Sequence, residues 1–319
     1  MSQYKNSRRY LTPSMINTNT SRKQTISKTK ITAVWSPIPN VGAGTFAKSL
    51  AYILAEEGRK VLLVELDLDY PKLARTTALT HSERNLGTLL RDIENLDSGE
   101  NITLDIEDYI INSIIAEEGL THTMKQAKQK LKKDPSNLYV LCREHTTQYE
   151  GGLETPNRVA MEWLLHDCKR VGFQHVILDL PSPPKDLSTM LALIMADEMA
   201  GEKIAIVDDS YGTAGLFKIA MQAFEEAGVV IEDFNLITNK VSKETAEDVA
   251  EFYGISPVMR LPYCEGMWAN QLDLEIAPGS DKYMKHIQDF VKRYGVYCEA
   301  MEQEQPGFFT KLFKKNENA

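Results

Sequence analysis

The residues Ser36 to Phe46 read SPIPNVGAGTF, and the two glycines of that short span, Gly42 and Gly44, could let backbone amides close around an anion. On one side lies ITAVW, short and β-branched; on the other lies AKSLAYILAEEG, with helical spacing of its apolar residues. A strand, a tight loop and a helix N-terminus make a phosphate cradle when the loop also supplies a lysine and a magnesium-binding hydroxyl, in the pattern GxxxxGK[ST]. Here Gly42 matches the second glycine, but Ala43 falls where the lysine belongs and Gly44 where the hydroxyl belongs. Pro37 and Pro39 stiffen the loop and remove two more amide donors. Taken alone, the segment serves equally well as a plain strand-to-helix turn.

Other segments place polar groups where an apolar run stops. KVLLVELDLDYP ends in Glu65, Asp67 and Asp69, and HVILDLPSPP in Asp179, Leu180 and Pro181. NLITNKVSK ends in Asn239 and Lys240, and MRLPYCEG carries a Pro262-Tyr263 turn. Acids commonly end strands and cap helices, so none of these is informative singly. Their order and spacing together point to one crevice at the carboxyl edge of a sheet.

The elements that must position them alternate. Strands are expected at 31–35, 60–67, 137–144, 175–181, 203–209 and 234–240, with amphipathic helices at 45–57, 158–171, 212–228 and 242–253 between them. This predicts an α/β fold, a doubly wound, mostly parallel sheet with helices on both faces, in one domain over roughly 31–300. The acidic stretch 92–118 and the basic KQAKQKLKKD read as an insertion after the second strand. At 43% hydrophobic and 25% charged, the chain has the composition of an ordinary globular protein. The cysteines Cys142, Cys168, Cys264 and Cys298 show no CxxC spacing and the histidines no HExxH pair, which disfavours a disulfide frame and a zinc site. With no apolar run long enough to span a bilayer and no secretory h-region, a cytoplasmic protein is expected. Residues 1–30 hold Lys5, Arg8, Arg9, Arg22, Lys23, Lys28 and Lys30 and no acid, within a net charge of −9 for the chain. They read as a disordered basic arm, either a solubilising leader or a segment touching acidic lipid, a partner or nucleic acid. The acidic core makes nucleic acid an improbable partner except through that arm.

Over nearly all of 31–300 the sequence resembles the MinD/ParA family of P-loop ATPases. Its loop reads KGGVGKTT, aligned here with Ile38-Pro39-Asn40-Val41-Gly42-Ala43-Gly44-Thr45. The resemblance implies ATP or ADP with Mg2+, held by Asn40, Val41, Gly42, Ala43, Gly44, Thr45 and Phe46. It implies a metal-holding Asp179, with Glu65 beside it, and a water-orienting, catalytic Asp67. Asn239, Lys240 and Pro262 resemble the family's base-flanking residues. Within the family, GGVGAST-like loops and the segment LYVLCRE look most like the CpaE/TadZ-like branch that localises pilus assembly. Ile38 replaces the lysine that would reach a partner subunit's phosphate. With the loop lysine also gone, nucleotide should be held weakly and hydrolysis should suffer more than binding. Lys240 and Lys48 are candidates to reach the phosphates instead.

The end of the chain, PGFFTKLFKKNENA, sets Phe308, Phe309, Leu312 and Phe313 on one helical face, with Lys311, Lys314 and Lys315 on the remainder. That is the pattern of an interfacial helix on acidic lipid, or of a tail folded back on the core. It is similar to the membrane-targeting tail of MinD-like proteins, so 301–319 is expected to be a linker and membrane helix. The combined expectation is a homodimer, cytoplasmic and peripherally bound to the inner membrane, that positions a pilus or secretion assembly. The alternatives are an active ATPase cycling on membrane or DNA, and an interaction module that binds no nucleotide.

Overall fold

A computed structural model describes residues 29–68, 71–77, 79, 81, 83–97, 103–112, 135–143, 156–182, 187–241, 249–264, 276 and 280–304. Residues 1–28 of the basic arm, Asp69, most of the charged insertion and the apolar-basic tail lie outside the described residues, whereas Lys30, expected in the arm, begins the first strand.

The chain opens with β1 (Lys30–Trp35) and passes through the glycine loop into α1 (Ala43–Glu56). It continues through β2 (Val61–Glu65), α2 (Leu73–Thr77), α3 (Leu86–Asp97), β3 (Ile111–Asn112) and β4 (Leu138–Leu141). Next come α4 (Arg158–Val171), β5 (His175–Asp179), α5 (Leu187–Glu198), β6 (Glu202–Val207) and α6 (Tyr211–Glu226). Last are β7 (Phe234–Val241), α7 (Val249–Tyr253), β8 (Met259–Pro262) and α8 (Asp281–Glu304). The eight strands form one sheet in the order β3-β4-β2-β5-β1-β6-β7-β8, parallel throughout except for β3 against β4. Strand β1 is flanked by β5 and β6, so successive crossovers leave it in opposite directions. That divergence opens the crevice into which a doubly wound sheet directs its ligands. Strand β8 is a correction: the residues read as a turn around Pro262 form an edge strand, where a missing N–H costs no ladder bond.

Alternation along the central strands sorts the core into two layers. Ile31, Ala33 and Trp35 of β1, with Leu62, Val64, Val176 and Leu178, pack against α4, α5 and α6. The edge of Trp35 meets Phe224 at 4.9 Å between ring centroids. Val34, Val61, Leu63 and Ile177 face the other way, against α1 and α8. There Phe46 meets Phe290 edge-on at 5.8 Å. By this parity the last residues of β2 and β5, Glu65 and Asp179, stand on the α1 side. The helix that begins at the glycine loop therefore lies over both carboxylates.

Candidate functional site

Helix α1 starts at Gly42, which caps it at φ +113, a backbone conformation that favours glycine. No side chain caps the helix, and its first internal bond runs from the Phe46 N–H to the Gly42 carbonyl at 2.9 Å. The positive dipole end and its spare amides are left to face the crevice. The loop is fastened from β7. Asn239 Nδ2 donates to the Val41 carbonyl at 2.6 Å, and Lys240 Nζ to the Asn40 carbonyl at 2.5 Å. Asn40 and Lys240 are themselves in the left-handed region, at φ 65 and 60. A β-carbon on Gly42 would meet Asn239 Nδ2 at 2.2 Å, so this glycine is required by the close approach as well as by its φ. At the other rim the Ser36 and Ser182 hydroxyls bond at 2.7 Å.

The floor is acidic. Glu65 and Asp179 are in-register neighbours on β2 and β5, so two carboxyls project side by side beneath α1. Burial, and then the charge of Asp179, pushes Glu65 up to about 8. Burial also raises Asp179 to about 7, against the attraction of Lys48. Oε1 of Glu65 accepts the N–H groups of Lys72 and Leu73 at 2.7 and 2.8 Å, whereas its Oε2 is buried without a partner. Asp179 lies under Gly44, where an added β-carbon would be 2.9 Å from Oδ2.

Lys48 completes the floor. It sits one turn beyond Gly44 on α1, 9% exposed, with Nζ 3.4 Å from the Thr76 hydroxyl. Burial lowers its pKa, while the charges of Asp179 and Glu65 oppose that shift. Sequence reasoning named Lys48 only as one of two lysines that could reach phosphate. Lys240, the other, is bonded to the loop itself.

These groups enclose a cavity of about 460 Å³. Asn40, Gly42, Ala43, Gly44, Thr45, Glu65, Asp67, Asp179, Asn239, Lys240 and Pro262, all expected at the site, line it. Val41 and Phe46, also expected at the site, are not among the residues that line the cavity. Phe46 is fully buried in the α1–α8 layer with its amide committed to the helix, and the Val41 side chain is buried in the same layer. Lys48, Lys72, Thr76 and Tyr283 also line the cavity, and only Lys48 was anticipated. The expected membrane residues, Phe308 to Lys315, lie outside the described residues.

A cradle of this size, with an open helix N-terminus on one side and strand-end acids below, fits the phosphates of a nucleotide. Magnesium is less well provided for. The hydroxyl donor is replaced by Gly44, Glu65 already accepts two backbone N–H groups, and the Lys48 ammonium lines the same cavity as Asp179. Among the described residues, no three His, Cys, Asp or Glu side chains gather as a metal-holding group.

The fold is that of a P-loop-type α/β protein, and comparison with known structures gives the same class. A ParA family ATPase from Chlorobium tepidum matches with a TM-score of 0.58 at 17% identity, over 82% of this chain and 98% of its own. The septum site-determining protein MinD from Pyrococcus horikoshii, complexed with Mg-ADP, matches at 0.59 and 17%, over 83% and 96%. MinD in the MinC:MinD complex of Aquifex aeolicus matches at 0.51 and 17%, over 83% and 95%. This is the MinD/ParA fold. The chain belongs to the AAA_31 family, described as AAA domain, whose model matches residues 29–227. Among curated proteins, no sequence matches significantly.

Proposed function

We propose that this protein is a nucleotide-binding localisation factor of the MinD/ParA type, in which ATP or ADP controls assembly more than it fuels turnover. The observation that carries the reading is the cavity between the open N-terminus of α1 and the strand-end acids Glu65, Asp67 and Asp179. The main-chain amides of Ala43 to Thr45 would receive the phosphates, and Asn239 and Pro262 would flank the base. Phosphoryl transfer relies on positioned charge, and the loop offers none. Slow hydrolysis at most follows, with Asp67 as the group that would orient water.

The finer reading is a homodimer docked peripherally on acidic lipid of the inner membrane through Phe308, Phe309, Leu312 and Phe313 with Lys311, Lys314 and Lys315. Its task would be to position a pilus or secretion assembly, as the CpaE/TadZ-like resemblance implies. Among the described residues no helix is long and apolar enough to cross a membrane, which accords with attachment by a tail. Two tails on one dimer would raise membrane residence by about 10²–10⁴ through effective concentration. Calorimetric titration with ATP tests the core of the reading, and saturable heat is expected. No heat at millimolar nucleotide would leave a bare interaction module. Phosphate release well above a buffer blank, with or without liposomes, would instead make the protein an active ATPase.

A further inference from the structure

We propose that Lys48 is the resident cation of this site, so that the cavity takes a polyphosphate without needing a divalent metal. The inference rests on the nucleotide reading above and deepens it.

Two positive contributions are missing from the loop, the lysine at Ala43 and the metal hydroxyl at Gly44. Lys48 returns one of them from a different direction. It is on α1, one turn past Gly44, so its side chain leaves the helix on the loop side. The side chains of a helix tilt toward its N-terminus, which brings the ammonium back toward the open amides. It lines the same cavity as Gly44 and Thr45.

The ammonium is also poorly satisfied where it stands. A lysine has three donors, and among the described residues the hydrogen-bond partner of Nζ is the Thr76 hydroxyl, at a long 3.4 Å. Burying a cation in this way is costly unless anions and acceptors surround it. Asp179 and Glu65 supply the anionic field, and the side chain lines the cavity into which a ligand would enter. Glu65 Oε2, buried and unpartnered on the same floor, is a second sign of a site completed by something it does not itself contain.

The arrangement disagrees with a metal at this position. A divalent ion held near Asp179 would share its cavity with the Lys48 ammonium, and the two positive charges would repel. Gly44 offers no hydroxyl to offset this. The room it leaves is taken by the Asp179 carboxylate. Lys48 therefore stands with Asp179 on the cavity floor, the ground that hydroxyl and ion share in a complete P-loop.

The test is calorimetric titration of the full-length protein with ATP, in excess Mg2+ and separately in excess EDTA. Dissociation constants agreeing within about threefold are expected. Lys48→Met should weaken binding at least about tenfold in both buffers, and Lys48→Arg, which keeps the charge, should recover part of the loss. Binding in Mg2+ but not in EDTA overturns this inference and leaves the nucleotide reading standing. Lys48→Met binding as tightly as wild type overturns it too. No binding in either buffer overturns the nucleotide reading and this inference with it. Should the lysine variants fail to fold, the two buffers applied to the wild-type protein still decide.

Discussion

Gly42→Ala tests how the loop is held. The native φ of +113 is strained for any residue with a β-carbon, at a cost of about 1–3 kcal/mol. That carbon would also meet Asn239 Nδ2 at 2.2 Å, forcing the amide off the Val41 carbonyl it now bonds at 2.6 Å. Leaving a buried carbonyl unpaired costs about 1–3 kcal/mol more. The sum is about 4 kcal/mol, and for a domain of this size about 2–4 °C of melting temperature goes with each kcal/mol. A fall of about 8–16 °C is therefore expected in a thermal melt followed by circular dichroism. Asn239→Ala should cost only the hydrogen bond. In that background Gly42→Ala should cost only the φ strain, because the collision is gone. A melting point within about 2 °C of wild type would refute the account. So would an equal cost for Gly42→Ala in the two backgrounds, since the strain would then have nothing to do with Asn239.

Burial, with Arg59 and Lys30 nearby, lowers His175 to about 4. Its ordinary value, the unfolded one, is about 6.5. The unfolded chain takes up this proton first, so stability is lost as pH falls from about 6.5 to 4. The loss reaches about 2 kcal/mol by pH 5. Urea midpoints of wild type and His175→Gln at pH 7.5 and 5 should differ by that slope. The comparison cancels Glu65 and Asp179, whose raised values tilt the curve the opposite way, and parallel curves would sink the claim. Lys203, 1% exposed, bonds Asp197 and, at 2.6 Å, the Val230 carbonyl beneath the Phe234 ring. Lys203→Met removes the cation from Asp197, which keeps the Val230 N–H at 3.0 Å, and should lower urea stability by about 1–3 kcal/mol, where an unchanged midpoint would contradict it. Phe309→Glu should abolish co-sedimentation with acidic liposomes; unaltered pelleting would mean the tail is not the anchor.

What could be read in advance was whatever a polar residue punctuates. β1, β2 and β5 are apolar runs that stop at Ser36, Glu65 and Asp179, and the site begins where they stop. The two residues of β3 carry no periodicity, because their strand character comes from pairing with β4, distant in sequence. α5, LSTMLALIMADE, is apolar almost all round and shows no polar face to mark a helical period. Within the site, Asn239 and the acids were legible from position. Lys48 was legible as one of two lysines that could reach phosphate, but its burial over the acids was not, since it stands in a largely apolar helix. Only the docking of α1 over β2 and β5 brings it to the carboxylates. Phe46 shows the converse. It follows the loop in sequence, but the helix has already turned it into the core.

Gly44 has a consequence for how such a protein could change. A site that had merely lost its magnesium hydroxyl could regain it through one codon. Here threonine at 44 would bring a β-carbon to 2.9 Å from Asp179 Oδ2, displacing the carboxylate that Lys48 now faces. Because the contact is with the free end of a side chain, the carboxylate can swing aside, so such a change rearranges the floor of the site without blocking the fold. Position 44 thus ties the loop to the acid of β5, and a change at one is answered by the other.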